Sequence, residues 1–229
     1  MIRSTSYLDL VPAAPAGDVD QLIEALRGSV GEIGALAVEV APAIPFSRPV
    51  GDLMVLAAFA EESALENARR SPYATKVLQP LLDQLVARTE TTRYHQGPVR
   101  IREPELTEGV QRTLLVRVDP ATDPGRVAAF ERDIADMHRY IDAIRNSSLS
   151  RVDEVVNPRG PVWTHVWEQE FATLDGLTGP YMAHAYHWAY VDTWFDPQAP
   201  NRIVDRPLVH SACGLRASIL GRFDAVRAS

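Results

Sequence analysis

Two stretches of this 229-residue chain carry the same local pattern a fixed distance apart. Leu8-Asp-Leu-Val-Pro12 lies 108 residues before Val116-Arg-Val-Asp-Pro120, and Gly17-Asp-Val precedes Gly125-Arg-Val by the same interval. Each stretch reads as a strand end leading into a helix. An internal repeat constrains a fold more than composition does, because both copies must form the same unit and bury the same kind of apolar face.

Hydrophobic periodicity fills in the units. In the first, Ser4 to Val11 alternates as a strand. Asp18 then precedes a helical stripe of Val19, Leu22, Ile23 and Leu26, with a break predicted from Gly28 to Gly34. Leu36 to Val40 and Leu53 to Phe59 read as strands, joined by a loop containing Pro42, Pro45 and Pro49. Glu61 to Arg70 and Tyr73 to Val86 read as helical, and Thr91 to His95 as a closing strand. The second unit repeats the order. Thr113 to Val118 is a strand, Val127 to Ile144 a helix, and Leu149 to Val156 and Val162 to Phe171 are strands. Leu174 to Leu177 and Ala183 to Phe195 are helical, Asp196 to Pro207 is a loop, and Leu208 to Cys213 closes the unit.

The order β-α-β-β-α-β occurring twice predicts an α+β fold of two fused ferredoxin-like repeats, residues 1–100 and 109–222. A four-stranded antiparallel sheet with helices on one face leaves its other face to be covered. The second copy can do this, giving an intramolecular dimeric α+β barrel. A monomer with an internal pseudo-dimer is expected, with a homodimer as the alternative. Gly97 to Glu108, with Pro98 and Pro104, reads as the linker.

Composition excludes several classes of partner. A net charge of -7 without a Lys/Arg block argues against nucleic acid. The single cysteine, Cys213, excludes an intrachain disulfide framework. No apolar run reaches membrane-spanning length and the N-terminal residues show no signal-peptide core, so no membrane partner and a cytoplasmic location are expected. The distribution of residues is more informative than their totals. All four tryptophans, Trp163, Trp167, Trp188 and Trp194, fall within 32 residues of the second half.

The predicted strand Val162 to Phe171 places Trp163, His165, Trp167, Gln169 and Phe171 on one face. Aligning Phe59 with Phe171 sets Leu53 opposite His165 and Val55 opposite Trp167, so only one copy carries polar groups there. Tyr181, His184, His187, Trp188, Tyr190 and Trp194 follow in the second helical segment, with His184, His187 and Val191 on one side. His210 lies on the closing strand. Histidine moves protons near neutral pH, and a tyrosine hydroxyl can hold a carbonyl or its oxyanion. The aromatic surroundings suit a hydrophobic or aromatic small-molecule substrate. Arg202, in the 196–207 loop, is a candidate partner for a substrate carboxylate. No phosphate-binding loop or nucleophile elbow is present, and no cofactor is expected. His184, His187 and His165 lack a carboxylate or cysteine to complete a metal set, so no metal is expected either.

On these residues the chain resembles a tandem fusion of two stress-responsive dimeric α+β barrel domains, the second being the closer match. Tyr181-x-x-His184-x-x-His187 is similar to the family's H-P-A-H motif with its preceding tyrosine, with Ala185-Tyr186 in place of Pro-Ala. Trp163-Thr-His165-Val resembles the corresponding strand of the family's plant polyketide cyclase. The resemblance implies a cyclase or lyase performing an aldol-type condensation. It makes His187 the general base, Tyr181 the carbonyl ligand and His165 a cavity residue. Trp163, Trp167, Phe171, His184, Trp188, Tyr190, Trp194 and His210 are then expected around the substrate. A histidine on the family's first strand has no equivalent, and Thr113 stands near its position. A non-catalytic small-molecule-binding protein is the alternative reading.

Overall fold

The computed structural model describes residues 1–45 and 51–222; Pro49 of the predicted loop lies outside them. In the first half, β1 (Ile2–Leu10), β2 (Ala37–Pro42), β3 (Leu53–Phe59) and β4 (Val86–His95) form an antiparallel sheet in the order β2-β3-β1-β4. Helix α1 (Ala16–Ile33) connects β1 to β2. Helices α2 (Glu62–Arg70) and α3 (Gln79–Leu85), joined by the π-turn Ala74–Leu78, connect β3 to β4. In the second half, β6 (Thr107–Val118), β7 (Ile144–Arg151), β9 (His165–Phe171) and β10 (Val204–Ala217) repeat that order, with α4 (Pro124–Tyr140) between β6 and β7. Both halves are therefore ferredoxin-like, as predicted.

Two short strands tie the halves together. The chain leaving β4 forms β5 (Val99–Ile101), which adds to the edge of β7 in the second sheet. The chain leaving β7 forms β8 (Glu154–Val156), which adds to the edge of β4 in the first. The predicted 97–108 linker is thus partly strand, because the open sheet edge supplies hydrogen bonds that a free linker would leave to water. Gly97 sits where the two bent strands cross. A Cβ there would lie 2.1 Å from the carbonyl oxygen of Leu149, so no larger residue fits. At the opposite seam, the chain after β2 meets β10 through a bridge of Ala43 to Cys213 and a hydrogen bond from Ile44 N–H to Ala212 O.

The sheets face each other across an interior that contains Tyr7, Met54, Leu56 and Tyr94 from one half and Leu115, Val166, Val209 and Cys213 from the other. Helices cover the outer faces, giving one apolar cluster around α1 to α3 and another around α4. Helix α1 runs through Gly28 and Gly31 rather than breaking there, since Leu22, Ile23, Leu26 and Ser29 remain buried along its length. Burial of that stripe outweighs about 1 kcal/mol of helix propensity lost at each glycine. The helix ends at Gly34, whose φ of 67° is the left-handed conformation that glycine adopts at little cost.

The interior also holds charge. Arg3 of β1 donates to Glu168 of β9 at 2.7 Å, and neither side chain is exposed. Gln96 accepts from the same guanidinium, while Gln111 and Ser148 donate to the carboxylate. Among the described residues, no helix is long and apolar enough to cross a membrane.

A buried charge left without its counterion is strongly destabilising. Glu168→Ala is therefore expected to lower unfolding free energy by about 3–5 kcal/mol in urea titrations. A loss below about 1 kcal/mol would show that the halves do not depend on this pair.

Candidate active site

Strand pairing builds the outer face of the second sheet rung by rung. Arg112 of β6 pairs with Gln169 of β9, Leu114 with Trp167, and Val116 with His165. On the other side of β6, Ala212, His210 and Leu208 of β10 pair with Arg112, Leu114 and Val116. Trp167 and Phe171 of β9 lie in the apolar cluster under α4, whereas Val166 lies in the barrel interior. The predicted two-residue period of this strand thus sorts its residues between the two faces from His165 onward.

The segment above this face is not a regular helix. Pro180 lacks the N–H that an α-helix needs and would clash with the carbonyl one turn back. The chain instead forms a π-turn, Leu177–Tyr181, and a second one, His187–Val191, followed by the 3-10 turn Asp192–Trp194. This irregularity turns Tyr181 and His187 inward together. Their rings meet edge-on, with centroids 4.7 Å apart, and Phe171 meets the other side of Tyr181 at 5.3 Å. His187 is buried, and its Nδ1 lies 3.4 Å from Asp192 Oδ2. The Tyr181 hydroxyl is fully buried and accepts or donates no hydrogen bond. Burial pushes its pKa up to about 12, against the pull of Arg112, so it is a protonated donor.

Arg112 is the residue that sequence reasoning missed. Its guanidinium carbon lies 4.5 Å from the Trp167 ring centroid and 5.3 Å from that of Tyr181. Nε donates to His210 Nε2 at 2.8 Å and Nη1 donates to Gln169 Oε1 at 2.7 Å. A guanidinium only donates, so His210 must accept through Nε2 and carry its proton on Nδ1. Burial, Arg112 and His187 together hold the His210 pKa down to about 3. The expected position for a first-strand site residue was Thr113, but Thr113 pairs with Ser211 and Glu168, on the interior side of the sheet. The strand's parity was the available signal. Arg112 falls in step with the apolar Leu114 and Val116, where an isolated cation is out of place.

His165 shares the outer face but has a different set of partners. Thr164 Oγ1 lies 2.8 Å from its Nδ1, and Glu131 Oε1 lies 3.2 Å from its Nε2. Phe130 contacts its ring edge-on and also packs on Trp194. Burial lowers the His165 pKa, opposed by Glu131. Glu131 also takes a bidentate pair of hydrogen bonds from Arg151.

Trp163, Trp188 and Tyr190 depart from the predicted site, whereas His184, Trp194 and Arg202 find local partners. Trp163 does not share the His165 face, because regular pairing begins only at His165. Its indole N–H donates instead to the buried carboxylate of Glu90, drawing the ring into the barrel interior. Trp188 and Tyr190 are 59% and 56% exposed, since the π-turn points these positions outward. Tyr190 stacks on Tyr186 rather than on any site residue. His184 is half-buried and accepts locally from Tyr186 N–H. Trp194 is buried under α4 and donates to Asp133. Arg202 donates to the carbonyl oxygen of Val204, the first residue of β10, and lines a surface pocket with Asp119, Asp123 and Asp205. Among the described residues, no group of three or more His, Cys, Asp or Glu side chains is placed to hold a metal ion.

His210 has a consequence for stability. Its folded pKa lies below the value of 6.5 for an unperturbed histidine, so the unfolded chain takes up the proton first. The stabilisation it allows is therefore complete above about pH 6.5 and declines as pH falls toward 3. At about pH 5 the loss should be about 2 kcal/mol, and His210→Gln should remove that part of the slope. Denaturant titrations of both proteins across this range measure it.

Residues 110–205 match the family model described as the Stress responsive A/B Barrel Domain, a span that contains Arg112, His165, Gln169, Tyr181 and His187. A search of curated proteins finds no match. Solved structures resemble the whole chain. A candidate monooxygenase from Fusobacterium nucleatum aligns with a TM-score of 0.66 at 9% identity, covering 94% of this chain and 92% of its own. Another, from Lactobacillus acidophilus, gives 0.59 at 11%, covering 93% and 92%. An anthrone oxidase-like protein gives 0.59 at 9%, covering 93% and 90%. At such identities these likenesses establish a shared fold, and residues 110–205 carry the stress-responsive α+β barrel signature within it.

Proposed function

We propose that the second half is the working half of a cyclase or lyase acting on a polyketide-like or aromatic carbonyl compound. The observation that carries this reading is the buried, unbonded Tyr181 hydroxyl on a ring that meets the buried His187 edge-on. A donor kept from water without a partner is costly unless a ligand supplies the acceptor.

The roles follow from the atoms. Asp192 faces Nδ1 of His187 and favours the tautomer with its proton there, leaving Nε2 as the base. His187 Nε2 takes the proton from the carbon next to a carbonyl. The electron pair moves onto the carbonyl oxygen, and the Tyr181 hydroxyl donates to the enolate formed. The enolate carbon then attacks a second carbonyl of the same molecule, making a carbon–carbon bond. The imidazolium returns its proton to the new alkoxide, and loss of water completes the condensation. His165, paired to Glu131, lines the same sheet face as a wall for the substrate.

Linear poly-β-ketones, with cyclised products followed by mass spectrometry, provide the assay. His187→Ala should lower kcat by about a hundredfold or more while leaving the near-ultraviolet circular dichroism unchanged. Tyr181→Phe should lower kcat by about tenfold to a hundredfold. Unchanged turnover in His187→Ala removes the base assignment. Binding without conversion by the wild-type protein would instead mark a binding protein.

A further inference from the structure

We infer that Arg112 is a carboxylate receptor, so that the substrate of this site is a keto acid or its aromatic counterpart rather than a neutral ketone. The inference rests on the reading of the second half as the working site, and extends it to the chemical class of the ligand.

Arg112 is 3% exposed, yet forms no ion pair with a carboxylate among the described residues. Its two hydrogen-bond acceptors, Gln169 and the neutral His210, carry no charge. Asp192 acts on it only at longer range and makes its own approach to His187. A buried cation without an anion is unfavourable, and proteins ordinarily place a carboxylate beside it. The same fold shows the ordinary solution at Arg3, which is equally buried and meets Glu168 directly. The difference between these two arginines is the main ground for assigning Arg112 a ligand.

The surrounding groups point to the ligand's polarity. Arg112 Nη2 makes no hydrogen bond to the protein. Gln169 Nε2 and the Tyr181 hydroxyl are buried and also without partners, and these two approach each other without hydrogen-bond geometry. All three can donate. A site with donors to spare around an unpaired cation favours a group that accepts and carries negative charge, and an ionised carboxylate fits that description with a planar edge matched to guanidinium. The rings of Trp167 and Tyr181 lie against the guanidinium and fix its plane. His210 holds Nε, so the edge bearing Nη2 is left for the ligand.

The first half supplies an internal contrast. In its sheet, Ser4 of β1 pairs with Ala57 of β3, the position that Arg112 and Gln169 occupy in the second. The cation on this rung of the first half, Arg93 of β4, pairs in register with Ser4 and meets the carboxylate of Glu154, unlike Arg112. The cleft over the first sheet, of about 780 Å³, has Ser4 where the second sheet has Arg112, and the arginines Arg69 and Arg93 in its lining are each paired with a glutamate.

The test is binding of 3-benzoylpropionate against its methyl ester, measured by calorimetry. These probes share the aryl ketone and differ in the carboxylate. Wild-type protein should favour the acid by about tenfold or more. Arg112→Gln should abolish that preference, and Arg112→Lys should keep part of it, because lysine retains the charge but not the planar fork. His187→Ala should keep the preference in full. Equal binding of acid and ester by the wild type, or a preference that survives in Arg112→Gln, overturns the proposal. Wild-type comparison alone decides the matter if Arg112→Gln fails to fold. The two readings separate cleanly. Equal binding of acid and ester by a wild-type protein whose turnover depends on His187 would remove Arg112 and leave His187. Normal turnover in His187→Ala with the preference intact would do the reverse.

Discussion

Arg3 and Glu168 meet in the middle of the barrel, with no solvent reaching either side chain. One lies on the first strand of one half and the other on the central strand of the other. The contact is made only when the two sheets face each other in register, since a shift of one residue would turn either side chain to the opposite face. Glu168 stands between Trp167 and Gln169, both of which face the helices. The interior pair thus holds from behind the strand that presents the candidate site in front. Where the halves meet and where the chemistry is set out are consecutive residues of a single strand.

Much of the fold was legible in the sequence because it depends on periodicity. The strand order of both halves follows from where alternation gives way to helical spacing, and Leu53–Phe59 emerges with the bounds that its apolar run predicts. Features set by tertiary contact were not legible. Helix α1 continues through two glycines because its buried stripe continues. Strands β5 and β8 exist because each half leaves an edge that the other can complete. Nothing local in Val99–Ile101 announces that.

The candidate site divides in the same way. The placing of His165, Trp167, Gln169 and Phe171 on one face, the one beneath the helices, followed from a two-residue period. Trp163 departed from it because a buried carboxylate, Glu90, draws its indole N–H toward the interior. Tyr181 and His187 come together through two π-turns, one of them containing Pro180, that spacing rules for a regular helix do not describe. The second of these turns leaves Trp188 and Tyr190 exposed. Arg112 belongs to no motif, and only its place among alternating apolar residues marks it as unusual.

The joining of both halves in one chain bears on how such a buried cation can arise. In an assembly of two identical subunits, symmetry writes every substitution twice, and each copy incurs the full cost of taking a charge out of water. A single chain is released from that doubling. Here one rung carries Arg112 and Gln169 while its counterpart keeps Ser4 and Ala57. Covalent fusion lets one sheet keep a small, uncharged residue at this position while the other departs from it.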